Sequence, residues 1–183
     1  MDIHQEQHYG KTLNINIMKT IEFVLCLLSV FLFSCGKDEK LTLNKSIYLG
    51  NELKTDGCYY SIIETNKKLS NYIFLYKNGV VLNFVDTTGI KTLEDFNQNN
   101  LNPKNKSSWG VFIVSNSHLE IQCWSSSFAG KRYLDNSIAE ILNDTTFRIY
   151  KIINTRSGET DVNDLFYYMR FIPKPDSTNV FIK

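Results

Sequence analysis

The chain predicts an all-β domain: an antiparallel up-and-down meander of about eight short strands, curled into a closed barrel, with a small β-sandwich as the alternative. Three observations carry this. The 183 residues leave room for one ordinary domain. Aromatics reach 13% and the polar remainder is rich in Asn, Ser and Thr, which favours strands and turns over helices. Short β-type runs follow one another with turn residues at regular spacing, and no long helical segments alternate with them, which argues against βαβ units. Closure is physically attractive because it removes unpaired strand edges.

Taken in order, residues 57–65 (GCYYSIIET) read as the first strand and end at the turn Asn66-Lys67-Lys68. Residues 72–89 (YIFLYKNGVVLNFVDTTG) read as a hairpin, with Asn78-Gly79 as a type I′ turn. In 91–101 (KTLEDFNQNNL) Thr92 followed by Glu94 and Asp95 predicts a short helical insertion, then the loop NPKNKSS. Strands resume with WGVFIVS (109–115), a turn at Asn116-Ser117, and HLEIQCW (118–124). After SSSFAG come KRYLD (131–135), SIAEIL (137–142) and TTFRIYKII (145–153). The loop NTRSGETDVND precedes a strand at 165–173 (LFYYMRFIP), and TNVFIK closes the chain as an extended piece.

The amino-terminal part has a different character. Residues 23–33 (FVLCLLSVFLF) are an unbroken apolar run, shorter than the ~20 residues of a membrane span and suited to the core of a secretory signal peptide. Met18-Lys19-Thr20 supplies its positive start, so residues 1–17 read as an upstream extension and 18–34 as the signal. Leu32-Phe33-Ser34-Cys35 resembles the lipobox of bacterial lipoproteins, and Lys37-Asp38-Glu39 resembles the acidic surface-export signal of lipoproteins in the Bacteroidota. The resemblance implies cleavage before Cys35, lipidation of that residue and an outer-membrane location, lipid-anchored and facing the periplasm or the cell surface. Residues 35–53 then read as a lipidated polar tether and 54–183 as the folded domain. In an oxidising envelope the two cysteines left over, Cys58 and Cys123, are candidates for a disulfide closing a loop of roughly 65 residues, worth about 4 kcal/mol; two separate buried thiols are the alternative.

Over residues 54–183 the order of motifs resembles small bacterial lipocalin-like domains. Gly57-Cys58-Tyr59-Tyr60 stands at their first strand, FLYKNGVV at their aromatic hairpin, Trp109-Gly110 with HLEIQ at their middle strands, and Ala139-Glu140-Ile141 with Asp144-Thr145-Thr146-Phe147 at their late hairpin. Tyr59 or Tyr60 occupies the place of the lipocalin tryptophan. The resemblance implies a barrel that binds something, with an amphipathic or hydrophobic small molecule as the type of ligand.

No catalytic constellation stands out, and no cofactor is implied. His118 with Ser125, Ser126 and Ser127 could only make a hydrolase site without an elbow motif. Glu64, Glu94, Glu120 and Glu140 are carboxylates with no indicated pairing. Asp161, Asn163 and Asp164 lack the glycine and terminal glutamate of a calcium loop, and no cluster has metal-ligand spacing. A net charge of +1 and the lack of a basic stripe exclude a strong nucleic-acid footprint.

The aromatic load is the most informative feature. Tyr72, Phe74 and Tyr76 share one strand face while Ile73 and Leu75 share the other. Two apolar faces call for a covered outside, a partner subunit or a lined cavity. Tyr72, Phe74, Tyr76, Trp109, Phe147 and Tyr168 are the candidate ligand-binding residues, since a tyrosine offers both a ring face and a hydroxyl. The sequence therefore points to a non-catalytic envelope binding module, attached to the membrane through Cys35, for a small hydrophobic ligand or an envelope protein. An envelope hydrolase and a structural accessory subunit of an outer-membrane complex are the alternatives.

Overall fold

The computed structural model describes residues 36–62, 70–86, 94, 105–125 and 130–183. The barrel unit comprises Asp38–Ser127 and Arg132–Lys183. Among the described residues its strands are β1 (Gly57–Ile62), β2 (Ser70–Leu75), β3 (Val80–Asp86), β4 (Trp109–Ser115), β5 (His118–Trp124), β6 (Leu134–Asn143), β7 (Thr146–Asn154) and β8 (Gly158–Arg170). Each pairs antiparallel with the next, and β8 returns to β1 through Gly57–Arg170 to Tyr60–Tyr167. The result is a closed eight-stranded meander, the arrangement of a lipocalin-like barrel, and not a sandwich. The signal peptide, Cys35 and nearly all of the helical insertion lie outside the described residues; Glu94, which is described, is helical.

Local chemistry explains most of the corners. The β2–β3 hairpin is present, but its turn is not type I′. Gly79 alone has positive φ (79°), Tyr76 N donates to Val80 O at 3.0 Å, and Gly79 N donates to Tyr76 O at 2.9 Å. That is a three-residue loop with the glycine in the left-handed position. The two-residue turn with both φ positive is made instead by Asn116 (49°) and Ser117 (65°), between β4 and β5. Only the last two residues of KRYLD are strand, and they run on into SIAEIL as the single strand β6; TNVFIK is not a strand. The segment read as the loop NTRSGETDVND is mostly the first half of β8: Ile152, Ile153 and Asn154 pair with Thr160, Glu159 and Gly158.

The strands place every second residue inside. Tyr59, Ile73, Leu75, Val81, Phe112, Leu119, Ile121, Cys123, Ala139, Phe147, Ile149 and Phe166 form one buried cluster, drawn from all eight strands and filling the barrel. Phe147 stacks on Phe166 (5.0 Å) and tilts against Tyr59 (5.0 Å), while Tyr168 meets Tyr59 edge-on at 5.7 Å. Such ring pairs add about 0.5–1.5 kcal/mol each beyond the area they bury.

A second cluster lies on the outer face of the wall. Cys58, Tyr72, Phe74, Tyr76, Val80, Leu82, Phe84, Trp109, Trp124 and Leu134 are buried there with Phe171, and Leu41, Phe181 and Ile182 pack on them. The two apolar faces of β2 thus have a plain cause: the chain's own flanking segments cover the outside. Tyr76 Oη donates to Pro175 O (2.9 Å), and Phe171 meets Phe74 edge-on at 5.2 Å.

Candidate functional site

The six residues expected to line a ligand site do not converge. Tyr72, Phe74, Tyr76 and Trp109 belong to the outer layer, whereas Phe147 and Tyr168 belong to the inner one. All except Tyr168 are at most 8% exposed. Tyr168 donates to Asp56 Oδ1 at 2.6 Å at the rim, and burial, helped by that carboxylate, pushes its hydroxyl up to about 12.

Cys58 and Cys123 are both free thiols. The expected disulfide is not formed because the two side chains face opposite sides of the wall, Cys58 in the outer cluster and Cys123 in the inner one. Burial holds both thiols up at about 12, so neither is reactive near neutral pH. The alternation Leu119, Ile121, Cys123 in HLEIQCW already pointed Cys123 inward; GCYY offers no such alternation for Cys58.

Of the candidate catalytic groups, His118 stands directly across from Glu140 on the outer face that Glu120 shares, whereas the serine needed for a hydrolase is not beside it. His118 and Ser125 flank the two ends of β5, a separation of about 23 Å at ~3.3 Å per residue. The exposed His118 ring contacts Asn116 O at 3.0 Å, and Ser125 Oγ donates to Tyr133 O at 3.2 Å. Ser126, Ser127 and Glu64 lie outside the described residues. Glu120 accepts from Asn136 (3.0 Å) and Glu140 pairs with Arg148 (2.6 Å) on the solvated outer face of β5–β7. Asp161, Asn163 and Asp164 are exposed residues of β8, and no group of three or more metal-ligating side chains occurs among the described residues.

The two ends of the barrel differ. The end carrying the β2–β3, β4–β5 and β6–β7 turns, here the turn end, is closed by the segment before β1. Tyr48 packs on Phe112 at 5.6 Å, Leu53 is 3% exposed in the inner cluster, Lys54 N donates to Asp144 O, and Tyr59 Oη donates to the same carbonyl at 2.9 Å. At the opposite, loop end the inner face turns polar. Asn71 shares the face of Ile73, and Asn83 stands across from Ile73 on β3. Both Oδ1 atoms are buried without a hydrogen-bond partner.

A cleft of about 160 Å³ opens at the turn end between residues 46–52 and β4, lined by Ser46, Tyr48, Glu52, Phe112, Ile113 and Val114. Its rim carries Ile47 and Leu49, 72% and 87% exposed. β4 explains the opening. It pairs with β5 from Gly110 to Ser115, but with β3 only from Trp109 to Val111. Phe112 N still reaches Gly79 O (3.0 Å), so the next amide and carbonyl on that edge, those of Val114, lie past the end of β3 and face the cleft. Tyr48 Oη accepts from Leu53 N (2.8 Å) and donates to Glu52 (3.0 Å), fixing the cleft's floor. Nothing in the linear pattern marked this site, since it depends on β3 and β4 having unequal reach.

The residues read as a polar tether are held to the wall from Asp38 onward. Asp38 pairs with Lys106 (2.9 Å) and Arg132 (3.6 Å), and the Lys106 ammonium beside it holds its carboxyl below the usual range. Glu39 N donates to Arg132 O, and Trp124 Nε1 donates to Glu39 O at 2.7 Å. The Gln122 side chain, 2% exposed, accepts from Thr42 N (2.7 Å) and Leu43 N (2.9 Å) and donates to Thr42 Oγ1 (2.8 Å). Compared with known proteins, the chain matches no family model, no curated protein and no solved structure.

Proposed function

We propose that this protein is a cell-envelope lipoprotein, anchored through Cys35, whose barrel is a non-catalytic scaffold for binding an extended segment of an envelope protein at the turn-end cleft. The observation that carries the reading is the edge of β4 beyond Val111, where a strand edge without a strand partner borders a cleft of mixed, largely polar lining. Such an edge is a template for a further strand, with main-chain bonds giving affinity and a side-chain pocket giving selectivity. The cleft volume of about 160 Å³ suits a single side chain, and is below the ~300 Å³ at which small-molecule pockets begin. The exposed Ile47 and Leu49 extend the contact on one side. A barrel interior filled by Tyr59, Phe112, Phe147 and Phe166 favours this over a ligand carried along the barrel axis.

The test is a photo-crosslinking amino acid placed at Ile47, and as a control at Tyr150 on the outer face of β7, in cells that make the full chain. A discrete adduct at Ile47, absent from Tyr150 and abolished by Leu49→Asp, is the expected result. The reading falls if Ile47 yields no adduct while native mass spectrometry of the extracted protein shows a bound molecule of a few hundred daltons.

A further inference from the structure

We propose that residues 38–43 are an orienting strap that keeps the loop end of the barrel toward the lipid and leaves the cleft at the far end, toward the partner; this rests on the reading of Cys35 as the anchor. The strap's contacts are all at the loop end of the wall. Lys106 begins the 3-10 turn Lys106–Ser108 that leads into β4, Arg132 lies just before β6, Trp124 ends β5, and Thr155, which follows β7, donates to Glu39 Oε2 at 2.6 Å. The Lys106 ammonium also lies 4.4 Å above the Trp124 ring, so one cation joins Asp38 to the wall by an ion pair and a ring contact together. Gln122 then closes both free amides of Thr42 and Leu43 with a single buried carboxamide oxygen.

Chain length does the rest. Cys35 stands three residues before Asp38, a reach of about 10 Å even when fully extended. The wall itself is taller: a seven-residue strand such as β5 spans about 23 Å. A lipid on Cys35 therefore keeps the loop end near the headgroups. An inverted pose, with the turn end at the surface and the loop end raised above it, would require the strap to peel away. A free polar tether of eighteen residues would have reached about 60 Å and imposed no orientation; the clasp at Asp38 removes nearly all of that freedom. The consequence for binding is direct. Ile47, Leu49 and the Val114 edge belong to the turn end, the part of the molecule farthest from the anchored lipid.

The experiment uses the full chain made in a Gram-negative host and reconstituted into phosphatidylcholine vesicles containing a headgroup-nitroxide lipid. Two variants each carry one added surface thiol for a fluorophore, Ser157→Cys at the loop end and Lys77→Cys at the turn end; the buried Cys58 and Cys123 do not label. The expected result is several-fold stronger quenching of the label at 157 than at 77. Adding Asp38→Ala with Gln122→Ala should bring the two labels to similar quenching. Equal quenching with the strap intact overturns the orientation and leaves lipidation standing. The mass of the amino-terminal peptide reads lipidation separately. If that peptide carries no acyl groups, the anchor reading fails, and in variants that carry the fluorophore on a genetically encoded amino acid at 157 or 77 the free Cys35 thiol is coupled to a maleimide phospholipid in the same vesicles. Asymmetry there still supports the strap, and equality overturns it.

Discussion

The inner and outer aromatic layers contain similar residues but are completed in different ways. The inner one is made almost wholly by the strands: Tyr59, Phe112, Phe147 and Phe166 meet because the wall closes. The outer one is left open by the strands and is finished by residues far away in sequence, Leu41 on one side and Phe171, Phe181 and Ile182 on the other. The inner layer is therefore a property of the barrel, whereas the outer layer depends on two segments that pack on it. Damage inside should be felt everywhere; damage outside should loosen a segment first.

Phe147→Ala should have the largest effect. The residue is fully buried between Tyr59 and Phe166, and the closed wall cannot collapse on the void. A loss of about 4 kcal/mol is expected in chemical denaturation. Phe171→Ala should cost less, about 2–3 kcal/mol, because the covering segment can settle toward Phe74. It should also speed proteolysis after residue 171 before global unfolding, which Phe147→Ala should not do. If both variants lose stability equally with no early cleavage, the distinction between the layers is wrong.

Gln122→Ala strands two amides under the strap and should cost about 2 kcal/mol, with faster hydrogen exchange at Thr42 and Leu43. Asn83→Leu works in the other direction. It removes a buried oxygen that has no partner, so the variant should be about 1 kcal/mol more stable than the parent. A loss of stability instead would mean that the loop end needs that oxygen.

The smallest effect concerns pH. Lys174 donates to Thr55 O and Leu75 O and lies 4.0 Å from the Tyr76 ring centroid. Burial pulls its ammonium down to about 8 from an ordinary value of 10.5. Between those values the unfolded chain binds more protons than the native one, so stability rises with pH. Cys58 and Cys123 act oppositely above pH 9, where unfolding releases protons that the buried thiols retain up to about 12. Thermal melts should therefore show stability increasing from pH 7.5 to about 9 and falling beyond it. Lys174→Met should abolish the rise and keep the fall.

The wall was largely legible in the sequence, and the site was not. Alternation in HLEIQCW and the Asn78-Gly79 corner located strands and a hairpin, because period and turn chemistry are local. The first half of β8 escaped notice because in GETDVND only Val162 is apolar, so its strand pattern is indistinguishable from a solvated loop. The sidedness of β2 was hidden for the opposite reason: both its faces are buried, and only the distant Leu41 and Phe171 show which is outside. The cleft and the strap depend on contacts between residues as far apart as Thr42 and Gln122, for which a single chain carries no periodic signal.

The return of both flanking segments to one outer layer bears on chain topology. Leu41 near the start of the barrel unit and Ile182 at its end lie on the same cluster. A polar linker between residues 183 and 38, with new ends cut at the Asn116-Ser117 turn, would give a circular permutant with the same wall and the same covering. Such a permutant would have no lipid-bearing terminus, so it would separate the barrel's capacity to fold from its attachment to a membrane.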